Sequence, residues 1–305
     1  SPKAQTIKKR MRRNFLFDTM TFLSSDDRSF LTHRLPMAMA AKKVCCVVLV
    51  ICKDTGKCEE IRQLGFDVIN LPMGNAPLNI FANLKTLRHL AGIYQSAQPD
   101  LIYHSSVQMS FLGSLARLFT RKQLTGSLPS INAITGVGYL FSSEQFKAKF
   151  LRWALSPILR VLWRRAGTVM LFQNPDDRAV FIKRGLSAKN APLIPGSGVD
   201  DDKFKPVSTK SSLGKNKQPL VIGCASRLLR DKGIPELIEA VKILAKNYHI
   251  ELQVAGDIFH KNPSSCTPQE IEKWSKISSV TFLGNVSDMV GFWQGCDVAI
   301  LPSHR

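Results

Sequence analysis

The sequence has few acidic residues and no long hydrophobic run. Its 305 residues include 42 lysines and arginines against 23 aspartates and glutamates, a formal net charge of +19. The apolar run at residues 44–52 is far too short to span a bilayer. Such a charge favours nucleic acid, an anionic membrane face or anionic small substrates as partners. RNP-like motifs, zinc-finger spacing and basic-zipper heptads are missing, so no nucleic-acid partner is expected.

Metal-type cysteine spacing is also missing. The seven cysteines are odd in number and form no Cys-x-x-Cys pair. Several lie inside apolar strand-like runs, where a free cysteine behaves as a small hydrophobic residue. We therefore predict buried thiols and a reducing compartment. A secretory signal is not expected, because the basic residues near the amino terminus lead into only a short apolar strand.

Short apolar runs alternate with longer helical patterns along the chain. Strands are predicted at residues 14–21, 44–52, 66–71, 101–104, 130–134, 168–172, 219–224, 251–255, 280–283 and 298–301. Helices are predicted at residues 35–41, 59–64, 79–95, 110–119, 146–165, 234–245, 268–275 and 288–294. This succession predicts an α/β fold with parallel, doubly wound sheets.

A polar stretch divides this succession in two. Residues 200–218 are rich in Lys, Asp, Ser and Gly, as expected of an interdomain linker. We predict a Rossmann-like amino-terminal domain at residues 11–199 and a Rossmann-like carboxyl-terminal domain at residues 219–305. The second has four predicted strands without a closing helix, so we expect it to be incomplete in this chain.

The segment most typical of a binding site is ASRLLRDKG, at residues 225–233. It joins a predicted strand to a predicted helix at the carboxyl edge of a parallel sheet, where α/β proteins bind ligands. Arg227 and Lys232 can there neutralise a diphosphate together with helix amide groups. The alternative is a solvated charge cluster, but cations at a helix start oppose its dipole, which favours an anionic partner. Arg230 is expected to face solvent.

Further motifs follow one another in a fixed order. They are FLTHRLP at residues 30–36, LPM at 71–73, AITGVGY at 133–139, FQNPDD at 172–177, PGSGVD at 195–200, GD at 256–257, NP at 262–263, FLG at 282–284 and LPS at 301–303. With residues 227–233, this series resembles the retaining GT-B glycosyltransferases of family four over residues 14–305. It is most similar to bacterial enzymes of surface-polysaccharide and lipid-linked glycan assembly, including N-acetylgalactosaminyltransferases that extend a polyprenyl-diphosphate sugar.

The resemblance implies that the second domain holds a nucleotide-sugar donor and the first an acceptor. It implies transfer with retention, UDP-N-acetylhexosamine as the favoured donor, a polyprenyl-diphosphate-linked glycan as the acceptor, and neither cofactor nor metal. Arg227 and Lys232 match the catalytic diphosphate-binding pair, which stabilises the leaving group. Donor contacts are implied at Gly198, Arg227, Lys232, Gly256, Asp257, Asn262, Phe282 and Leu283. Acceptor or cleft contacts are implied at His33, His104, Thr135, Gly136, Gly138 and Asn174.

The sequence departs from the family pattern in two respects. Many members have a histidine near the donor sugar where this chain has Thr135. The acidic motif that contacts the donor sugar would begin after Arg305, so we expect little or no turnover from the chain as given.

Several of these positions also fit a purely structural role. Asn174 can cap the helix that follows it. His33 and His104, expected in cleft-side loops, can be structural histidines, and Asp26 and Asp27 are expected to be a solvated pair in the first loop. The segment around residue 198 can be only a turn or hinge, since glycine permits either.

The helical pattern at residues 146–165 is basic and aromatic, with six lysines or arginines beside Phe150, Leu151, Trp153, Leu159 and Trp163. Such a helix binds anionic leaflets, each basic residue contributing about 1 kcal/mol. We predict a cytoplasmic protein with peripheral contact at the inner membrane through this segment, which can also pack one apolar face in the core. Two other functions stay open: a nucleotide-sugar epimerase or phosphorylase on the same fold, and a non-catalytic basic module for membranes or nucleic acid.

Overall fold

The computed structural model describes residues 15–73, 80–120, 128–136, 157–196, 198–206, 219–258, 262 and 264–304. The chain divides into two compact units, Ser1–Gly198 and Val199–Arg305. Each unit contains a parallel β-sheet whose strands are joined through helices, which confirms the predicted α/β class. Among the helices described, none combines the length and the apolar character needed to cross a membrane.

The first unit is built on a six-stranded parallel sheet. Its strands are β1 (Phe17–Asp26), β2 (Cys45–Lys53), β3 (Asp67–Asn70), β4 (Leu101–Ser105), β5 (Ser130–Ile134) and β6 (Thr168–Phe172), in the spatial order β3-β2-β1-β4-β5-β6. Its helices are α1 (Asp27–His33), α2 (Leu35–Ala41), α3 (Cys58–Gln63), α4 (Ile80–Ala97), α5 (Val107–Arg117), α6 (157–163) and α7 (Pro175–Lys183). The order reverses between β1 and β4, and doubly wound sheets bind ligands beyond the strand ends at such a point.

Neighbouring residues of the central strand β1 pack on opposite faces of this sheet. Phe22 packs with Phe30 and Tyr103 on one face, and Leu23 packs in a cluster with Leu90 on the other. All five are at most 1% exposed. Both faces of a parallel sheet are covered by helices, which is why its strands are almost entirely apolar. Full burial of one such side chain contributes about 1.5–3 kcal/mol, so this packing fixes the strand ends firmly.

The second unit has a four-stranded parallel sheet. Its strands are β7 (Leu220–Ala225), β8 (Ile250–Ala255), β9 (Val280–Gly284) and β10 (Val298–Ala299), in the spatial order β10-β7-β8-β9. Its helices are α8 (Ile234–Leu244), α9 (Pro268–Ser275) and α10 (Met289–Gly295). Ile238, Leu252 and Val254 are completely buried and pack in one cluster with Trp274.

Helix α1 lies where the sequence predicts a loop. Asp26 ends β1, and its carboxylate caps α1 by accepting a hydrogen bond from the Ser29 amide at 2.7 Å. Asp27 is completely buried, and its carboxylate accepts from the amides of Thr55 and Lys57 at 2.7 and 2.8 Å. The prediction of a solvated aspartate pair is wrong, because these carboxylates satisfy backbone amides that would otherwise lack partners. Burial raises the pKa of Asp27, but the hydrogen bonds outweigh it and the net pKa is lowered.

All seven cysteines are free thiols, in agreement with the prediction. Five are buried, namely Cys45, Cys52, Cys58, Cys224 and Cys266. Cys46 is exposed and Cys296 half-buried, so the prediction of burial is wrong for these two. Burial raises the pKa of the Cys52 and Cys224 thiols, which keeps both protonated at neutral pH.

Candidate functional site

The loop between β7 and α8 contains both Arg227 and Lys232, and Lys232 directly precedes Gly233, the N-cap residue of α8. Arg230–Lys232 form one turn of 3₁₀ helix, and Gly233, with a φ of 70°, leads into α8 in the left-handed conformation. Arg227 is exposed and Lys232 half-buried. Among the described residues no side chain caps α8, so its first amide groups are available to an anion. Strand, loop and helix follow one another as the sequence predicts, and the phosphate role of the loop stays a prediction.

Gly256 allows the end of β8 to approach this loop closely. Its φ is 149°, and a Cβ atom at this position would collide with the backbone carbonyl of Ser226. The amide of Leu228 donates to the carbonyl of Asp257 at 3.1 Å. Only glycine fits between the two segments, so the predicted donor role of Gly256 coincides with a structural requirement. Asp257 itself is exposed at the same edge as Arg227.

A second segment, residues 262 and 264–266, forms hydrogen bonds with the loop that follows β7. The Oδ1 atom of Asn262 accepts a hydrogen bond from the Ser264 amide at 2.9 Å, and the Ser264 carbonyl accepts from the Arg230 amide at 2.8 Å. The Arg230 guanidinium pairs with Glu270 and remains 51% exposed. Arg230 faces solvent as expected, and it also links its own loop to residue 264 and to the first turn of α9. The carboxamide oxygen of Asn262 likewise has a structural role, because its hydrogen bond to the Ser264 amide stabilises a turn.

Phe282 and Leu283 have opposite orientations on the edge strand β9. Phe282 stacks on Trp274 with 6.5 Å between ring centroids, whereas the Leu283 side chain is 42% exposed. The Gly284 carbonyl accepts from the Gly256 amide at 2.7 Å. The carboxyl ends of β7, β8 and β9 therefore meet at one edge, which carries the predicted donor residues Arg227, Gly256, Asp257 and Leu283.

The carboxyl edge of the first sheet contains a residue that sequence reasoning missed. Ser106 follows β4 with a φ of 97°, which is rare for a non-glycine residue. Its amide donates to the Ala133 carbonyl at 2.9 Å, and its hydroxyl caps α5 by accepting from the Met109 amide at 3.3 Å. Backbone strain of this kind concentrates at functional edges. The sequence gives no signal for it, since a serine before a helix is ordinary.

Three predicted cleft residues lie at exposed strand ends of this unit. Thr135 and Gly136 follow β5, and Gly136 has a φ of 149°. Asn174 follows β6 and caps α7, the structural role that the sequence allows. Gly198, predicted to contact the donor, is the last residue of the first unit and is exposed with a φ of 78°. Gly138 lies outside the described residues.

His104 is not in a cleft-side loop. It lies inside β4 and is completely buried, with Nδ1 2.7 Å from Asn132 Oδ1 and Nε2 3.1 Å from the Tyr94 hydroxyl. Burial lowers the pKa of His104 to about 4, so the ring is neutral at neutral pH. The predicted position is wrong, because two polar partners inside the sheet let an imidazole occupy a core position.

The predicted loop position of His33 is also wrong. It is the last residue of α1 and is exposed there, not in a loop. Helix α1 carries it about 10 Å along its axis from the end of β1. Desolvation and the neighbouring charge of Arg34 lower the pKa of His33. The missed helix α1 accounts for this error.

Two groups of described residues bring three potential metal ligands within 4.8 Å of one another, but neither resembles a built site. The first is Asp27, Asp54 and Cys58. There the carboxylate oxygens of Asp27 already accept hydrogen bonds from a loop. The second is the exposed run of residues 200–202, where one carboxylate caps its own turn.

The two halves of the chain match two protein-family models. Residues 21–174 match Glycosyl transferase 4-like, and residues 208–305 match Glycosyl transferases group 1. An N,N'-diacetylbacillosaminyl-diphospho-undecaprenol alpha-1,3-N-acetylgalactosaminyltransferase from Campylobacter jejuni is 26% identical, over 93% of this chain and 74% of its own length. The capsular polysaccharide biosynthesis glycosyltransferase CapM of Staphylococcus aureus is 20% identical, over 81% of this chain and 64% of its own length.

A solved structure shows the same fold. Anabaena HepE in complex with UDP and glucose has a TM-score of 0.68 and 20% identity, over 93% of this chain and 74% of that one. The predicted GT-B fold is confirmed by this likeness. Because one family model alone covers half of the chain, and both describe the same enzyme class, the chain belongs to the glycosyltransferase 4-like family and is a glycosyltransferase.

Proposed function

We propose that this glycosyltransferase moves an N-acetylhexosamine from a UDP-sugar to a polyprenyl-diphosphate-linked glycan in the assembly of a bacterial surface polysaccharide. The observation that carries the proposal is the uncapped start of α8, which Lys232 directly precedes, in a loop that also contains Arg227. It is supported by the names of the relatives, one a transferase acting on a diphospho-undecaprenol sugar and one a capsular polysaccharide enzyme. The likeness to a protein solved with UDP agrees with the choice of nucleotide.

Arg227 and Lys232 hold the donor diphosphate in this proposal. As the glycosidic bond breaks, the leaving UDP gains negative charge on its terminal phosphate. Fixed cations and helix amide groups stabilise that charge without reorganising during the reaction. These groups supply the charge compensation, so the proposal invokes no metal or other cofactor. Asp257 and Leu283 line the same edge and are proposed to contact the rest of the donor.

The configuration at the anomeric carbon is proposed to be retained through attack on the front face. The acceptor hydroxyl forms the new glycosidic bond on the side from which UDP departs. A phosphate oxygen of the departing UDP takes the hydroxyl proton, so no side-chain nucleophile is invoked. Thr135, Gly136 and Ser106, at the carboxyl edge of the first sheet, are proposed to line the acceptor side.

A lipid-linked acceptor requires a protein that reaches a membrane surface. We assign this contact to residues 146–165, at the cytoplasmic face of the inner membrane. Residues 146–156 lie outside the described residues. In the described part, α6 has two exposed apolar side chains, Ile158 at 45% and Val161 at 63% exposure. Apolar side chains between arginines are what an interfacial helix presents to a bilayer.

Calorimetric titration of the chain tests the donor. The ligands are UDP, GDP, UDP-N-acetylgalactosamine, UDP-N-acetylglucosamine and GDP-mannose. We expect the UDP compounds to bind and the GDP compounds to bind at least tenfold more weakly. Preference for GDP compounds would contradict the donor assignment. Binding of none of the five would contradict the donor role of the second unit.

A separate titration tests the acceptor. A polyprenyl-diphosphate N-acetylhexosamine in detergent is compared with a polyprenyl monophosphate that has no sugar, each with and without saturating UDP. We expect the diphosphate sugar to bind more tightly. Equal affinity for the two lipids would contradict a lipid-linked sugar as acceptor and leave the donor result intact.

A further inference from the structure

A small pocket opens between α6 and the carboxyl-terminal end of α7. Its volume is about 60 Å³, which holds roughly four to six water molecules and so admits a group the size of a phosphate. Trp163 and Phe181, both buried, form its apolar floor with 5.2 Å between ring centroids. Its rim is formed by three exposed arginines, Arg160, Arg164 and Arg184.

Two of these arginines converge on the turn that follows α7. The Nε atom of Arg164 donates to the Gly185 carbonyl at 2.7 Å, and that of Arg160 donates to the Arg184 carbonyl at 3.3 Å. A Cβ atom on Gly185 would lie 3.3 Å from Nη2 of Arg164 and 3.7 Å from Nε of Arg160. The two guanidinium groups are therefore held side by side through Nε. Each has further N–H donors on its Nη atoms.

The segment that forms the pocket has a large excess of positive charge. Residues 157–190 contain seven lysines and arginines but only two acidic residues, Asp176 and Asp177. Both aspartates lie in the first turn of α7, about 9 to 10 Å along the helix from its other end. Among the described residues, Arg160 and Arg164 have no carboxylate partner. The carboxyl terminus of α7 compensates part of this charge, and an anion between the arginines would compensate the rest.

We propose that this pocket binds a phosphate group. The guanidinium fork of arginine matches phosphate oxygens geometrically, and three arginines around one small pocket can contact several of them together. The phosphate belongs either to a phospholipid headgroup or to a free phosphate in solution. Ile158 and Val161 are exposed on the same helix and would enter the leaflet beside a bound headgroup. In its lipid form the inference rests on the membrane contact proposed above, but it is independent of the donor and of glycosyl transfer.

The test compares two double variants that remove the same charge. Arg160→Gln with Arg164→Gln alters the pocket, and Lys183→Gln with Lys189→Gln removes two exposed cations of the same segment that do not line it. Binding to vesicles containing phosphatidylglycerol is measured by co-sedimentation, with phosphatidylcholine vesicles as reference. Binding of inorganic phosphate is measured as a thermal shift at fixed ionic strength. Circular dichroism checks the fold of each variant.

If the pocket binds lipid phosphate, the pocket variant loses at least roughly tenfold more vesicle affinity than the control, because it removes direct charge-assisted hydrogen bonds to the phosphate as well as two charges. If it binds free phosphate, the stabilisation by inorganic phosphate disappears in the pocket variant and persists in the control. Equal losses in both variants, or no binding in either assay, overturn the proposal. Should the pocket variant fold poorly, Arg184→Gln replaces it, because that change leaves both backbone contacts of Arg160 and Arg164 intact.

Discussion

The carbonyl oxygen of Pro302 lies against the Cα atom of Gly233, in the place that a Cβ atom on residue 233 would occupy. Two residues further along the same segment, the His304 amide donates a hydrogen bond to the Asp231 carbonyl at 3.1 Å. The segment that follows β10 therefore packs on the start of α8. The proposed diphosphate loop depends on this contact, since Arg230–Lys232 and Gly233 form the turn that it touches.

Replacing Gly233 by alanine should destabilise the second unit by about 2 kcal/mol or more. A left-handed alanine costs roughly 1–2 kcal/mol, and displacement of Pro302 adds to it. Thermal unfolding measures the effect. Gly56→Ala is the matched control, because Gly56 has a φ of 101° and nothing within 4 Å of the added methyl group. Equal decreases of Tm in the two variants would show that Pro302 contributes nothing.

Arg227→Ala should weaken UDP binding by about 10- to 100-fold, the range for loss of a charge-assisted hydrogen bond. Calorimetric titration with UDP measures it. Arg230→Ala removes the same charge from the same loop but breaks only the partly exposed pair with Glu270, so UDP affinity should change little. The diphosphate role fails if Arg227→Ala binds UDP as the parent chain does, or if both variants lose affinity equally.

His104 should make the stability of the protein depend on pH. Its pKa is about 4 in the folded state and 6.5 as the ordinary value. Between these values the unfolded chain binds one more proton, so stability is complete above pH 6.5 and falls as the pH drops towards 4. The full loss is of order 3 kcal/mol. Urea unfolding at pH 7 and pH 5 tests this in the parent chain and in His104→Gln, which should be less sensitive. Equal sensitivity of the two would contradict it.

Gly113→Ala should destabilise the first unit although alanine is the better helix former. The added methyl group would overlap the His104 imidazole, which Tyr94 and Asn132 hold in place. We expect a loss of about 2 kcal/mol or more from such overpacking. Gly92→Ala, on α4 with nothing within 4 Å, should instead stabilise by up to about 1 kcal/mol. A gain in Tm for both variants would disprove the predicted overlap.

The bounds of some strands could be predicted to the residue, because the signals that set them lie next to the strand in the sequence. Strands β5 and β6 begin beside Pro129 and Gly167, which end the preceding segments, and both are short apolar runs. Strand β1 is different, because it continues through Ser24 to Asp26, polar residues that the sequence assigns to a loop. Ser24 is only 1% exposed. Its burial depends on neighbouring strands, so no local pattern reveals it.

In the candidate site too, some positions follow from local sequence and others depend on contacts between distant segments. The positions of Arg227 and Lys232 between a strand and a helix could be predicted, because these elements follow one another within a few residues. The position of His104 depends on Tyr94 and on Asn132, 28 residues away, which only the folded sheet brings together. Ser106, with its φ of 97°, likewise has a partner distant in sequence, because its amide donates to the Ala133 carbonyl. Sequence order could locate the proposed donor loop, whereas the positions of His104 and Ser106 depend on tertiary structure.

The free thiols differ in burial, so their chemical labelling can report the unfolding of each unit. Cys46 is exposed and should react at once with a thiol reagent such as a disulfide-forming chromophore. Cys52 in the first unit and Cys224 in the second are both completely buried. A reagent can modify each of them only after its own unit has opened, because the thiol is sealed in the core and protonated. Labelling followed by peptide mass analysis would therefore time the unfolding of the two units separately in one sample, without any engineered probe.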